Sequence, residues 1–583
     1  MLRILVPVVL LLVLSSVAGT DDPAARVKDR FRADVHTFEQ SVQALENSQG
    51  DTVRLKEAFR TARLAYKRIE WLVEGYNPSM ARQLNGPPVD EVELEDQMLI
   101  RAEGFQILEE KLFPVVEEGP ELRDACRQLV QNTEMLRRQP WMNDIGDVHL
   151  WDALRLELLR IGMLGITGYD SPAAGLSLPE AVAALEGCRQ MAGVYTPAAD
   201  ELFRKAITAL KTDAALFDRP AFLTRCLRPL CRRLAEEQKR LAIPPLADSG
   251  RFFRTGSWWL FDDDVFRPQV LSPRPDWAMT PQRIALGQRL FYEKSLSGNG
   301  SRSCATCHQP DKALTDGLVR SKALDNRTLI ARNAPTLWNT ALQSSFFYDA
   351  RAFSLETQIA DVLQNPQEMD GSPDAAVARL ARQKSYRQAF AAAYPDGGLT
   401  KPHFLNALAA YLRSLVRLNS RWDRFMRGEE NALTGQEKRG FNLFAGKARC
   451  ATCHFMPLTS GMLPPTYDHF DVEVLGVPGN ADLDHPVADP DRGAGLLGNF
   501  DVLQNAFKTV SLRNVEKTAP YMHSGVFATL EEVVEFYDRG GGAGIGLKVA
   551  NQTLPPEPLH LTAQEKADLV AFMKTLTDLP KQH

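Results

Sequence analysis

One pentapeptide occurs twice in this chain: Cys304-Ala-Thr-Cys307-His308 and Cys450-Ala-Thr-Cys453-His454. Two thiols three residues apart, followed at once by an imidazole, are the attachment chemistry of a c-type haem. The sulfurs add across the two vinyl groups, and the next side chain ligates the iron from below. A single CxxCH also suits a zinc half-site or a dithiol. Two identical copies point to a dihaem protein, which leaves open what fills the far side of each iron.

With 583 residues the chain has the length of three or four ordinary domains. Its 44% hydrophobic and 24% charged residues are a globular composition. The net charge of −5, from 68 basic and 73 acidic residues, gives no nucleic-acid footprint. The opening MLRILVPVVLLLVLSSVAGT combines an early Arg3, an apolar run and a small-residue site at Ser16-Val17-Ala18. It predicts a secretory signal peptide over residues 1–18, with an uncleaved anchor as the alternative and no other span. Export agrees with covalent haem attachment, which bacteria carry out beyond the cytoplasm, so a periplasmic location is expected. Cys126, Cys188, Cys226 and Cys231 are left over. An oxidising compartment invites one or two disulfides among them, with buried free thiols as the other reading.

The fold expected is mainly α: an N-terminal helical bundle followed by two cytochrome c-like haem domains. Residues 19–242 carry apolar positions at threes and fours between charges, broken at Gly86-Pro87-Pro88, Gly119-Pro120 and Ser171-Pro172. Residues 243–278 read as an ordered linker packed on a neighbour. The haem domains follow at 279–430 and 431–583. These two halves repeat each other. Gly287-x-x-Leu290-Phe291 precedes one motif, and Gly440-x-x-Leu443-Phe444 precedes the other. From Pro335 onward the halves match at a constant offset of 175 without a gap, as in Ser354-Leu355-Glu356 against Thr529-Leu530-Glu531. In that register Tyr537 answers to Val362. If the helices bearing them cover the distal faces, the second iron meets a phenol and the first an aliphatic group. A phenolate can ligate ferric haem and Val cannot. No His lies between His308 and His403 to cap the first iron from a loop.

The phrases LGQRLFYEKSLSGNGSRSCATCH, RNAPTLWN, NPQEM, SLRNVEKTAPYMHSG and TLEEVVEFY together resemble the bacterial dihaem cytochrome c peroxidase family, in its MauG-like branch. The resemblance covers about half of the chain, residues 279 to 578. It implies two c-type haems, a peroxide site at the first with Glu368 and Gln358 over it, and Tyr537 as ligand of the second. It implies a calcium ion held by Asn333, Thr518 and Pro520. The inter-haem position, Trp in most relatives, is Tyr348 here. The function so implied is periplasmic reduction of hydrogen peroxide at an open haem, with electrons relayed through the His454/Tyr537 haem. A small cytochrome c or cupredoxin would be the donor. A MauG-like enzyme oxidising Trp or Tyr of a partner protein is the alternative, and a plain electron-transfer cytochrome a further one. Upstream, Gly104-Phe-Gln106-Ile-Leu-Glu109 resembles the GxHxxE element of imelysin-like helical domains, with Gln in place of the metal-binding His. A helical scaffold or docking surface is the plainer expectation.

Overall fold

The computed structural model describes residues 22–395 and 397–578, so the expected signal segment lies outside them. The N-terminal region is built from long helices, chiefly Pro23–Glu46, Thr52–Tyr76, Pro120–Arg138, Asp147–Arg160 and Ser177–Tyr195. The first two begin where the sequence supplies a cap. Asp22 accepts from the Ala24 N–H and Asp51 from the Arg54 N–H, satisfying donors that a helix start leaves free. Val27, Phe31, Val35, Phe38, Val42 and Leu45 then recur at threes and fours, and all are buried. One stretch read as helix is a short hairpin instead, Glu91–Glu93 against Met98–Ile100. Its Val92, with nearby Leu94, packs beside Leu503 and Ala506 of the second half, an anchorage that local periodicity does not encode.

The centre of the N-terminal region is ionic. Asp170 takes both Nη atoms of Arg160 at 2.8 Å and the Lys67 ammonium at 2.6 Å. Arg63 forks onto Glu180 with two 2.8 Å bonds. Such a buried network fixes the helices in one register, because breaking any pair would strand a charge away from water. The four leftover cysteines are separate buried thiols, so the invited disulfides do not form. Apolar packing, not a redox staple, holds this region.

The two halves share one backbone plan. The helix Pro281–Phe291 packs across Lys401–Arg413, and Gly435–Phe444 packs across Ala563–Lys574. Each crossing is made at a glycine. A Cβ on Gly287 would stand 1.9 Å from the Ala407 carbonyl oxygen, and one on Gly440 would stand 1.9 Å from that of Asp568. Left-handed backbone recurs at the 175-residue offset, at Asn339 and Asn514, Phe347 and Met522, Ala350 and Gly525. So do the antiparallel bridges Phe346–Ala352 and Tyr521–Phe527.

Their surroundings differ. The first half closes on a core of its own, including Leu286, Leu290, Phe291, Leu355, Phe390, Phe404 and Leu408. The N-terminal region, residues 252–266 and the second half share a single continuous core. The helix Arg421–Arg427, at the end of the expected 279–430 segment, joins this shared core too, with the Trp259 indole N–H donating to the Met426 carbonyl at 3.0 Å. Among the described residues no helix is long and apolar enough to cross a membrane.

Candidate haem pockets and active site

Each CATCH segment forms a single helical turn, Cys304–Cys307 in one half and Cys450–Thr452 in the other. The imidazole that follows is oriented by a backbone carbonyl. His308 Nδ1 lies 3.0 Å from the Leu314 oxygen, and His454 Nδ1 lies 3.2 Å from that of Thr459. A carbonyl only accepts, so Nδ1 carries the proton and Nε2 keeps its lone pair for a metal. Burial pushes His454 down to about 4 and lowers His308, holding both rings neutral, as iron ligation requires. All four motif sulfurs are unpaired. This donor set fits two covalently attached haems. The orienting carbonyls were invisible in the sequence because any residue can supply one.

On the second side, the helix Leu530–Asp538 starts at a Thr529–Glu532 capping box and carries Tyr537 near its end. Burial is the main cause of the raised phenol pKa, and the charges of Cys450 and Cys453 add to it. The phenol therefore lies within electrostatic reach of both motif sulfurs. Its hydroxyl has no hydrogen-bond partner among the described residues. In the first half the matching helix is Leu355–Gln364, capped by Ser354. Gln358 and Val362 lie one turn apart on it, on the same face and half-buried.

Glu368 follows in the next turn. Asn365 Nδ2 donates to its Oε1 at 2.7 Å, which fixes one oxygen and leaves the other free. Burial raises its pKa, with Asn365, Arg351 and Arg302 opposing, and its charge in turn reaches Cys307. The sequence singled out Glu368 but not Asn365 or the two arginines. Asn365 was nonetheless legible as a short-range partner three residues away.

Between the halves, the Tyr348 hydroxyl points at Asn333 Oδ1 across 3.4 Å. Asn333 Nδ2 donates to the Leu318 carbonyl at 2.7 Å, and its backbone N–H to that of His523 at 2.8 Å. Thr518 turns its hydroxyl back to the Val515 carbonyl and stands two residues before Pro520. Sequence reasoning missed Lys508. Its backbone N–H bonds the Tyr348 carbonyl at 2.7 Å, while its ammonium reaches Gln343 Oε1 at 2.6 Å and the Ser345 carbonyl at 3.1 Å. Burial pushes that ammonium down to about 7.

In the N-terminal region Gln106 donates to the Asn85 carbonyl at 3.2 Å. Glu109 Oε1 accepts from the Ala173 and Ala174 N–H groups at 2.8 and 2.6 Å. Both serve as internal struts, and no cluster of three or more His, Cys, Asp or Glu suited to a metal occurs among the described residues.

Residues 281–431 match the family described as di-haem cytochrome c peroxidase. The methylamine utilization protein MauG of Methylorubrum extorquens is 37% identical over 318 residues, covering 54% of this chain and 83% of that protein. The cytochrome-c peroxidase IdrP1 of a Pseudomonas species is 35% identical, covering 53% and 84%. A solved MauG-like protein associated with microbial copper homeostasis is 33% identical, with a TM-score of 0.46, covering 53% of this chain and 92% of its own. The chain belongs to the dihaem cytochrome c peroxidase and MauG family, and as such is an oxidoreductase with two c-type haems.

Proposed function

We propose that this protein reduces hydrogen peroxide in the pocket above His308, with a second haem held by His454 and Tyr537 as its electron store. One observation carries the reading. Tyr537 is buried within electrostatic reach of Cys450 and Cys453, whereas Val362 stands at the matching place in the first half. When bound, haem supplies the electrons that split the O–O bond.

The chain's own groups handle protons and position. Gln358 orients peroxide, and Val362 keeps that side apolar. Glu368 is held by Asn365 through Oε1, so its other oxygen works. Burial keeps its carboxyl protonated nearer to neutrality than an exposed one, which suits a shuttle. It takes the proton from one peroxide oxygen and returns it to the other, which leaves as water. Two electrons and two further protons complete the second water. Tyr348 lies on the route between the halves, and because burial raises its pKa, any oxidation must hand its phenolic proton to a neighbour. Asn333 Oδ1 and the carbonyls of Thr518 and Pro520 are the oxygen type that Ca²⁺ takes. The setting is the periplasm, and the donor a small cytochrome c or cupredoxin.

A second reading has a specific feature in its favour. The phenol at 537 and the absence of any His between His308 and His403 leave the first site open without prior reduction. That suits oxidation of a Trp or Tyr on a partner protein.

EPR of the resting ferric protein tests the asymmetry. One high-spin and one low-spin haem are expected, with cyanide altering only the first, peroxide diminishing both, and Tyr537→Phe altering the second. Two low-spin signals indifferent to cyanide would remove the proposal.

A further inference from the structure

A file of aromatic rings, with one step made through adjacent residues of the chain, leads from the second haem site into the N-terminal region. Phe444 lies 6.5 Å from the His454 ring, centroid to centroid, and Phe572 lies 5.1 Å from Phe444. Trp422 follows at 5.2 Å from Phe572, then Phe261 at 6.2 Å and Trp259 at 5.8 Å. Trp258 is the next residue in the chain. Trp151 packs 6.0 Å from it, and Tyr195 packs 5.7 Å from Trp151. Tyr195 is half-buried, and its hydroxyl donates to Asp147 Oδ1 at 2.6 Å.

Core packing alone accounts for burying such rings, but not for choosing indole. The Nε1–H groups of Trp422 and Trp151 are buried with no hydrogen-bond partner. A phenylalanine at either place would fill the core without stranding a donor. What indole offers and benzene does not is an accessible one-electron oxidation. The two indoles also lack an acceptor, so they keep their proton when oxidised and can be refilled without moving it. Only the outermost member, Tyr195, has a carboxylate placed to take a proton.

We infer that this file is an electron path joining the second haem to the surface of the N-terminal region at Tyr195. It rests on the peroxide reaction proposed above, which supplies the oxidising equivalent. One electron passes from Trp422 toward the haem, and electrons from Trp259, Trp258 and Trp151 refill the vacancy in turn. Tyr195 gives the last electron to Trp151 and its phenolic proton to Asp147. This leaves a neutral tyrosyl radical, which one electron from an external one-electron donor and the proton returned by Asp147 restore. The fused helical region would thereby serve as a second entry point for reducing equivalents.

The test uses the full-length dihaem protein, one equivalent of hydrogen peroxide and no donor, with rapid freezing for EPR and peptide mass spectrometry of oxidised residues. A tyrosyl signal is expected that disappears in Tyr195→Phe, with oxidation products at Trp151 and Tyr195. Trp259→Phe and Trp151→Phe should each lower the tyrosyl yield by about tenfold or more. The optical response of the haems to peroxide should stay intact in both. A wild-type protein whose haems respond to peroxide but form no tyrosyl radical would overturn the path. So would a radical indifferent to all three substitutions. If the haem spectrum itself ignores peroxide, the peroxide reading fails first, and this inference with it.

Discussion

The two halves have the same backbone and different neighbours. Both cross their helices at a glycine, both turn through left-handed residues 175 apart, and both orient the ligating imidazole with a carbonyl. Yet the first half closes on its own core, whereas the second shares one with the N-terminal region and carries Tyr537 where the first has Val362. Duplication preserved the CATCH turn and the carbonyl that orients its imidazole. Divergence fell on what surrounds them. A half with an independent core and an aliphatic residue at the place matching Tyr537 is free to specialise for substrate. A half sheathed by another region suits storage and transfer of electrons.

The most direct way to break that division is at Glu368. Glu368→Gln keeps the shape and the Asn365 contact but removes the titrating proton, and peroxide reduction should fall by about 10²–10⁴-fold in stopped-flow assays. An unchanged rate would take the proton chemistry away from the first half. A swap sharpens the comparison next. Tyr537→Phe combined with Val362→Tyr should remove the second haem's low-spin EPR signal and diminish cyanide binding at the first. If both spectra stay as in the wild type, position 362 does not face its haem.

Smaller effects probe the cores. Gly287→Ala and Gly440→Ala each drive a Cβ toward a backbone oxygen, a strain of about 1–3 kcal/mol by calorimetry. The first should lower the melting of one half alone. The second should carry the tryptophan fluorescence of the N-terminal region with it, because the core is common. Equal and independent losses would contradict the shared core.

The smallest effect is a pH dependence confined to the N-terminal region. Burial raises Glu109 from 4.5 to about 7, with Arg63 and the two backbone donors opposing. Between those values the folded state holds a proton that the unfolded state has released, so this group's contribution to stability falls as pH rises through the window. Glu109→Gln cannot titrate. Its melting temperature relative to wild type should therefore rise from pH 4.5 to pH 7, by an amount worth about 1–3 kcal/mol. A constant difference across that range would show that Glu109 is already charged.

Much of this architecture was legible in advance. The mainly helical fold and the duplicated register follow from spacing, since glycine crossings and caps are set by a few residues close in sequence. The Glu91–Ile100 hairpin was not legible, because its partners Leu503 and Ala506 lie four hundred residues away. Nor was the Asp170 network, whose members are scattered from Arg63 to Glu180 and read singly as solvated charges. The cysteines at 126, 188, 226 and 231 left disulfides and free thiols open, and only packing resolved them.

By itself the amino-acid order determined the family with its two c-type haems, the two CATCH segments, and the double use of one unit. Those properties are local, fixed by bonds and by side chains within a turn of one another. Tertiary structure alone decided that Tyr537 comes within electrostatic reach of Cys450 and Cys453, that Asn333 meets the His523 carbonyl, and that the helical region merges with one half and not the other. Those properties depend on which distant surfaces exclude water together, and the free energy of that burial belongs to the assembled core rather than to any segment of the chain.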